Sequence, residues 1–237
     1  MLYLIGLGLS WKDISLKALE VINKCDKIYL ETYTSVSNFS SKKLSKLLGK
    51  KVIELNRKQV EEEKPFLKES KIKDVALLIY GDPLMATTHQ EFKAEVVHGP
   101  SVFDAVGETG LSPYKFGKIA SIPIPEKNFK PESFFKILED NKKIDAHTLF
   151  LLDLKPNKFL TIPEAIKILL EISKKRKSKS FTNDTLCVGC ARLGHSDSFI
   201  KKGKAKDLIK KKFGNPPYCL IIPAKLSFKE EEFLSKY

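Results

Sequence analysis

Leu77-Leu78-Ile79-Tyr80-Gly81-Asp82-Pro83-Leu84-Met85-Ala86-Thr87-Thr88-His89 begins as a strand and ends as a turn. The apolar run from Val75 to Tyr80 carries β-branched and aromatic residues and stops abruptly at Gly81-Asp82-Pro83, as a buried strand does on leaving its sheet. Gly81 lets backbone approach a ligand closely, and Pro83 has no N–H with which to continue a ladder. Asp82 then stands at the carboxyl end of a parallel strand, where open α/β sheets place their ligands. Thr87 or Thr88 is placed to cap a following helix. An ordinary strand-to-helix turn has the same pattern, so this stretch alone does not establish a ligand.

Working outward, the amino-terminal side reads as alternating strands and helices. Leu2 to Leu7 is a strand ending in Gly6-Leu7-Gly8-Leu9, and Asp13 is placed to cap a helix over Ile14 to Cys25. Strands follow at Lys27 to Glu31 and Lys51 to Leu55, with a polar helix at Ser41 to Leu48 between them. A charged helix over Arg57 to Ser70 is broken by Pro65. Beyond the Gly81 turn lie a strand from Glu95 to Gly99 and a short helix opened by Ser101.

Gly107 to Gly117 is rich in turn residues and divides the chain into domains 1–110 and 111–237. The second half repeats the alternation, with strands at Lys118 to Ile124, Thr148 to Leu154, Leu186 to Ala191 and Tyr218 to Ile222. Helices are expected at Pro131 to Lys143, Thr161 to Lys174, Ala205 to Lys212 and Ser227 to Ser235. Two α/β domains with mostly parallel or mixed sheets and a cleft between them are the expected architecture.

The 237 residues are 42% apolar and 30% charged, the composition of a globular protein rather than a disordered one. No apolar run approaches the roughly 20 residues of a membrane span. The amino terminus lacks a basic region and a small-residue cleavage site, which points to a cytoplasmic protein without a membrane partner. The net charge of +13 is almost all lysine, since Arg57, Arg176 and Arg192 are the only arginines. Readers of nucleic acid lean on arginine for bidentate contacts, so a solvated lysine-rich surface explains the charge better than direct nucleic-acid binding. Lys42-Lys43, Lys174-Lys175, Lys201-Lys202 and Lys210 to Lys212 all fall in stretches with helical character. A basic face that steers towards an acidic macromolecule remains the other reading.

Cys187-Val188-Gly189-Cys190 has the spacing of a redox or zinc half-site. It lies in a strand, where residues three apart face opposite ways, and no second Cys or His pair completes a site. Cys25, Cys187, Cys190 and Cys219 are therefore read as buried small hydrophobes, with no metal. Gly6-Leu7-Gly8-Leu9 begins like a dinucleotide fingerprint, but Trp11 occupies the third glycine position. Among His89, His98, His147 and His195 no triad order emerges, and neither a paired zinc helix nor a phosphate-loop lysine is present. Without an evident nucleophile or base, chemistry that depends mainly on positioning fits better than hydrolysis. Methyl transfer from a sulfonium donor is such a reaction.

In order along the chain stand LYLIGLGL, DKIYLETYTS, YGDPLMATTH, SVFDAVGETGLSPYKFGK, HTLFLLDL, ARLG and FGNPPYCLIIPAKL. This ordered set resembles the diphthine synthases over essentially the whole chain. The resemblance implies the two-domain tetrapyrrole-methylase fold, S-adenosyl-L-methionine as donor, and a homodimer. It also implies successive methylation of the amino group of a modified histidine in translation elongation factor 2, a step of diphthamide biosynthesis. Carried over by motif, the donor-binding positions are Leu9, Asp82, Met85, Ser101, Val102, Leu152, Leu193 and Tyr218. Met85 and Val102 replace the family's usual valine and isoleucine, and Tyr218 stands where histidine is common. The connection from His89 to His98 is about half the family's length, so its helix is expected to shrink to a turn or two. No general base is assigned, and the docking surface for the elongation factor is expected to include Glu31 to Ser35. Two other readings stay open: a related methyltransferase acting on a tetrapyrrole or ribosomal RNA ribose, and a basic RNA-binding protein without catalysis.

Overall fold

The computed structural model describes residues 1–33, 40–85, 89–126, 130–155 and 158–237. They form two compact units, Met1–Ala105 and Val106–Tyr237. The Thr87 or Thr88 cap falls outside the described residues.

The first unit is a parallel sheet with strands β1 (Leu2–Gly6), β2 (Lys27–Glu31), β3 (Val52–Leu55), β4 (Val75–Ile79) and β5 (Glu95–Val97). Their order among the described residues is β3-β2-β4-β1-β5. Every residue of β4 is buried, because both faces of this strand are covered. Ala76 and Leu78 face helices α1 (Leu16–Lys24) and α2 (Ser41–Leu48) through Ala18, Ile22 and Leu44. Val75, Leu77 and Ile79 face the opposite way and pack with Phe66 of helix α3 (Pro65–Glu69). The period-two alternation of a strand thus feeds two separate cores.

Helix α1 is capped by Ser15, whose side chain accepts from the Ala18 N–H, and not by Asp13 as the sequence suggested. The charged stretch after β3 breaks one residue before Pro65. Gln59–Glu63 forms a π-helical turn, Lys64 is left-handed at φ 47°, and Pro65 starts α3. The ring of Pro65 disfavours helical backbone at Lys64, so the break precedes the proline. His89–Glu91 is a single 3-10 turn, which agrees with the shortened connection. The short helix α4 is Val102–Ala105.

The second unit carries β6 (Ala120–Ile122), β7 (Thr148–Leu152), a small hairpin of β8 (Leu154–Lys155) and β9 (Lys158–Phe159), β10 (Leu186–Ala191), β11 (Phe199–Lys204) and β12 (Tyr218–Ile222). The main sheet runs β11-β10-β12-β7-β6. Only β6 and β7 pair in parallel, and the other three pairings are antiparallel. Helices α5 (Ser133–Lys143) and α6 (Ile162–Lys175) press Phe134, Phe135, Leu138, Ile166 and Leu169 onto Phe150, Cys187 and Leu220. Thr161 and Glu164 close a capping box at the start of α6, with Pro163 in its first turn. Helices α7 (Ala205–Leu208) and α8 (Phe228–Leu234) complete the unit.

Lys201 and Lys202, expected in helix-like sequence, lie in β11 at the sheet edge, where lysines discourage pairing with another strand. Lys211 and Lys212 follow α7 rather than extend it. The single strand expected over 148–154 is interrupted at Asp153. Its two carboxylate oxygens accept from the Ile124 and Leu154 N–H groups at 2.9 Å each, diverting the chain into the hairpin.

Candidate active site

The carboxyl ends of β1 and β4 are tied together by their turns. Gly8 and Gly81 exchange backbone hydrogen bonds, with the Gly81 N–H to the Gly8 carbonyl at 2.9 Å and the return bond at 3.2 Å. Gly81 has φ +75°, a conformation that disfavours side chains. A Cβ there would meet the Pro100 carbonyl at 3.9 Å and Ser101 Cα at 4.0 Å, so it would fill the space over the turn without clashing. Gly99, just beyond β5, is different: a Cβ would lie 2.9 Å from the Gly6 carbonyl and the Gly8 nitrogen. Close backbone approach is thus required at Gly99, while Gly81 is needed for its backbone conformation. Together these turns make a cradle of main chain at one end of the sheet.

The side chains around it are acidic. Asp13 Oδ2 accepts from the Leu9 N–H at 3.1 Å and the Ser10 N–H at 2.6 Å. These are the amides a dinucleotide pyrophosphate would need after a first-strand glycine turn, and a carboxylate already holds them. Asp82 is buried, with its side chain 7% exposed. Its Oδ1 accepts from the Leu84 N–H at 2.9 Å, and its Oδ2 takes the Gly99 N–H at 3.3 Å and His98 Nδ1 at 2.7 Å. Ser101, also buried, donates its N–H and hydroxyl to Asp104 Oδ2 at 2.8 and 3.0 Å. Leu9 is buried, Val102 is half-buried and Met85 is exposed beside the undescribed 86–88. The first unit therefore brings Leu9, Asp82, Ser101 and Val102 to the same edge, with Met85 on the turn that leads away from it.

The remaining three positions share an end of the second unit's sheet. Ala191 pairs with Tyr218, and Cys219 pairs with Leu151, one residue before Leu152. Leu193 lies two residues past Ala191, in a turn held by the Arg192 N–H to the Pro217 carbonyl at 2.9 Å. The guanidinium of Arg192 braces that turn through Asp197 at 2.8 Å and His195 Nδ1 at 3.1 Å. Leu152 and Leu193 are buried, and the Tyr218 hydroxyl donates to the Gly214 carbonyl. Its hydrogen bond is local.

Two expectations need adjustment. Glu31 is buried and accepts from the Tyr33 N–H at 2.8 Å, so it faces inward rather than offering a docking surface, and Thr34 and Ser35 lie outside the described residues. His98, one of the four histidines without a triad order, lies with Nδ1 2.7 Å from Asp82 Oδ2. A histidine followed by Gly-Pro at a parallel strand's carboxyl end was the available signal. All four cysteines are buried thiols.

A sheet of this order with ligand-ready turns defines a class, and sequence similarity agrees: the model of the tetrapyrrole (corrin/porphyrin) methylase family matches residues 1–209, and the chain belongs to that family. Within it the chain is similar to curated diphthine synthases. That of Methanocaldococcus jannaschii is 41% identical, covering 99% of this chain and 97% of the relative. That of Methanococcus maripaludis is 40% identical with the same coverage. A solved diphthine synthase structure superposes with a TM-score of 0.88 at 35% identity, covering 100% of this chain and 96% of the other. The fold is that of the methylase family, and the protein is a methyltransferase of the diphthine synthase group.

Proposed function

We propose that the protein uses S-adenosyl-L-methionine to methylate, in successive steps, the amino group of the modified histidine of elongation factor 2. The observation that supports this best is the cradle at Gly8 and Gly81. Its amides at Leu9 and Ser10 are taken by Asp13, and Asp82 and Asp104 add further acidic side chains along the same edge. Negative charge there opposes a phosphate-bearing cofactor and suits a cationic sulfonium. In the first unit, Leu9, Asp82, Met85, Ser101 and Val102 contact the donor, chiefly through backbone and apolar surface. Leu152, Leu193 and Tyr218 are proposed for the same ligand.

Bound there, S-adenosyl-L-methionine supplies an activated methyl group that the amine lone pair accepts in line. The protein's own contribution is position: rigid main chain at two strand ends, fixed by hydrogen bonds that leave little freedom. A homodimer working in the cytoplasm on a protein substrate, without nucleic acid or membrane, completes the reading. Calorimetric titration tests the ligand. Saturable one-site binding of S-adenosyl-L-methionine with no heat from NAD is expected, and the reverse preference would reassign the cradle.

A further inference from the structure

The proposed reaction sets a proton problem that the donor site alone does not solve. An aliphatic amine is mostly ammonium at neutral pH and has no free lone pair. Every methyl added to nitrogen leaves it positively charged again, so a proton must leave before each further transfer. Resting on the proposed function above, we infer that His98 is the base that removes this proton, held in its active tautomer by Asp82.

The geometry is that of an oriented base. Oδ2 of buried Asp82 lies 2.7 Å from His98 Nδ1. A carboxylate only accepts hydrogen bonds, so Nδ1 carries the hydrogen and the Nε2 lone pair is directed elsewhere. Asp82 is itself fixed by the Leu84 and Gly99 amides. The ring, in contrast, is 67% exposed and stands on the edge that bears the donor cradle. It is accessible both to a side chain presented by a protein substrate and to water. Among the described residues Asp82 is the charged group that contacts the ring. Glu95 on β5 and its cross-strand neighbour Tyr3 lie three residues towards the strand's amino end, and Asp104 is engaged by Ser101.

In the step proposed, the ammonium N–H bond breaks, its electron pair stays on nitrogen as the lone pair, and the proton bonds to His98 Nε2. Asp82 stabilises the imidazolium through Nδ1–H. The exposed ring then returns the proton to water, ready for the next round.

The test compares wild type with His98→Ala and His98→Gln, using elongation factor 2 that carries the aminocarboxypropyl-histidine precursor. General base catalysis is typically worth about 100-fold or more. At pH 7.5 both variants are expected to lose about that much in kcat, while calorimetric affinity for S-adenosyl-L-methionine stays within about threefold. The wild-type rate should depend less steeply on pH than that of either variant, because a base at the site removes the ammonium proton. The variants should keep rising towards the amine range, so that most of the deficit disappears by about pH 9.5. Glutamine preserves a hydrogen bond to Asp82 but takes no proton, so recovery of kcat in His98→Gln would show a positioning role and overturn the inference. Variants with unchanged kcat and an unchanged pH profile would overturn it equally. If wild type binds the donor but methylates nothing, the proposed function itself fails, and this inference with it.

Discussion

The two units each pair a histidine with a carboxylate, at nearly equal distances and with opposite surroundings. In the first, His98 meets Asp82 at 2.7 Å with the ring 67% exposed. In the second, His147 Nε2 meets Glu230 at 2.9 Å with the ring fully buried. His147 Nδ1 accepts from the Ala224 N–H, and Glu230 also takes the Ser112 and Ser227 N–H groups. Every polar atom of that network points at another part of the same unit. It clips α8 to the loop before β6 and to the start of β7. Among the described residues the His98 pair is closed only on the Asp82 side. A satisfied, enclosed pair specifies structure, whereas a pair with one open nitrogen has capacity left for a substrate.

The largest contrast is expected when one member of each pair is removed. Glu230→Ala strands a buried imidazole and two amides and is expected to cost about 3–5 kcal/mol, as breaking a buried pair does. His98→Ala removes an exposed ring and leaves Asp82 its Leu84 and Gly99 amides, so it should cost less, about 1 kcal/mol. Urea denaturation measures both, and equal losses would erase the distinction.

Acid should separate the units as well. Burial alone would raise the Glu230 carboxyl, but the Ser227 and Ser112 amides and the His147 ring outweigh it and hold it down to about 2. Its folded pKa lies below the ordinary 4.5, so its stabilisation is complete above that value and is lost as pH falls from 4.5 towards 2. The amount is on the order of 3 kcal/mol. In the first unit, burial pushes His89 down to about 4, with Glu91 pulling the other way. That stabilisation is lost earlier, as pH falls from 6.5 through 4. Trp11, the single tryptophan, lies in the first unit. Its fluorescence should report a falling urea midpoint by pH 5, while the second unit weakens only below about pH 4.5. A constant midpoint from pH 7 to 4.5 would contradict the His89 assignment.

Smaller effects sharpen the picture of the cradle and of the cysteines. Gly81→Val forces a β-branched residue into positive φ, costing about 2 kcal/mol of stability. In the protein that still folds, donor affinity measured by calorimetry should drop at least about tenfold, because the side chain fills the space facing Pro100 and Ser101. Undiminished affinity would remove this turn from the site. Cys187→Ala and Cys190→Ala should each cost about 1 kcal/mol through small cavities. Metal content by mass spectrometry and methyl-transfer activity should be the same as in wild type, and loss of a stoichiometric zinc would show a different role.

The sequence displayed the parallel core and the turns clearly, because apolar runs ending in glycine and proline carry both strand and turn chemistry. Val75–Ile79 and Gly81-Asp82-Pro83 were readable for that reason, as was the capped start of α6 at Thr161. Strand β11 was hidden by its own protection: lysines that keep an edge from pairing also make it look like solvated helix. Asp13 had the right residue type for a cap, yet its carboxylate turns back to Leu9 and Ser10 while Ser15 caps the helix. Local propensity does not distinguish these two partners. His98 and Asp82 are 16 residues apart and meet because β1 pairs with both β4 and β5. Such a contact belongs to topology, and no spacing rule encodes it.

The central claim is methyl transfer to one modified side chain of a protein. The most direct measurement incubates the enzyme and S-adenosyl-L-methionine with elongation factor 2 carrying the aminocarboxypropyl-histidine precursor, then weighs the modified peptide by mass spectrometry. Methyl groups added to that residue, and absent when the elongation factor is unmodified, are the expected result. An unmethylated peptide, alongside turnover of a tetrapyrrole or RNA substrate, would contradict the account.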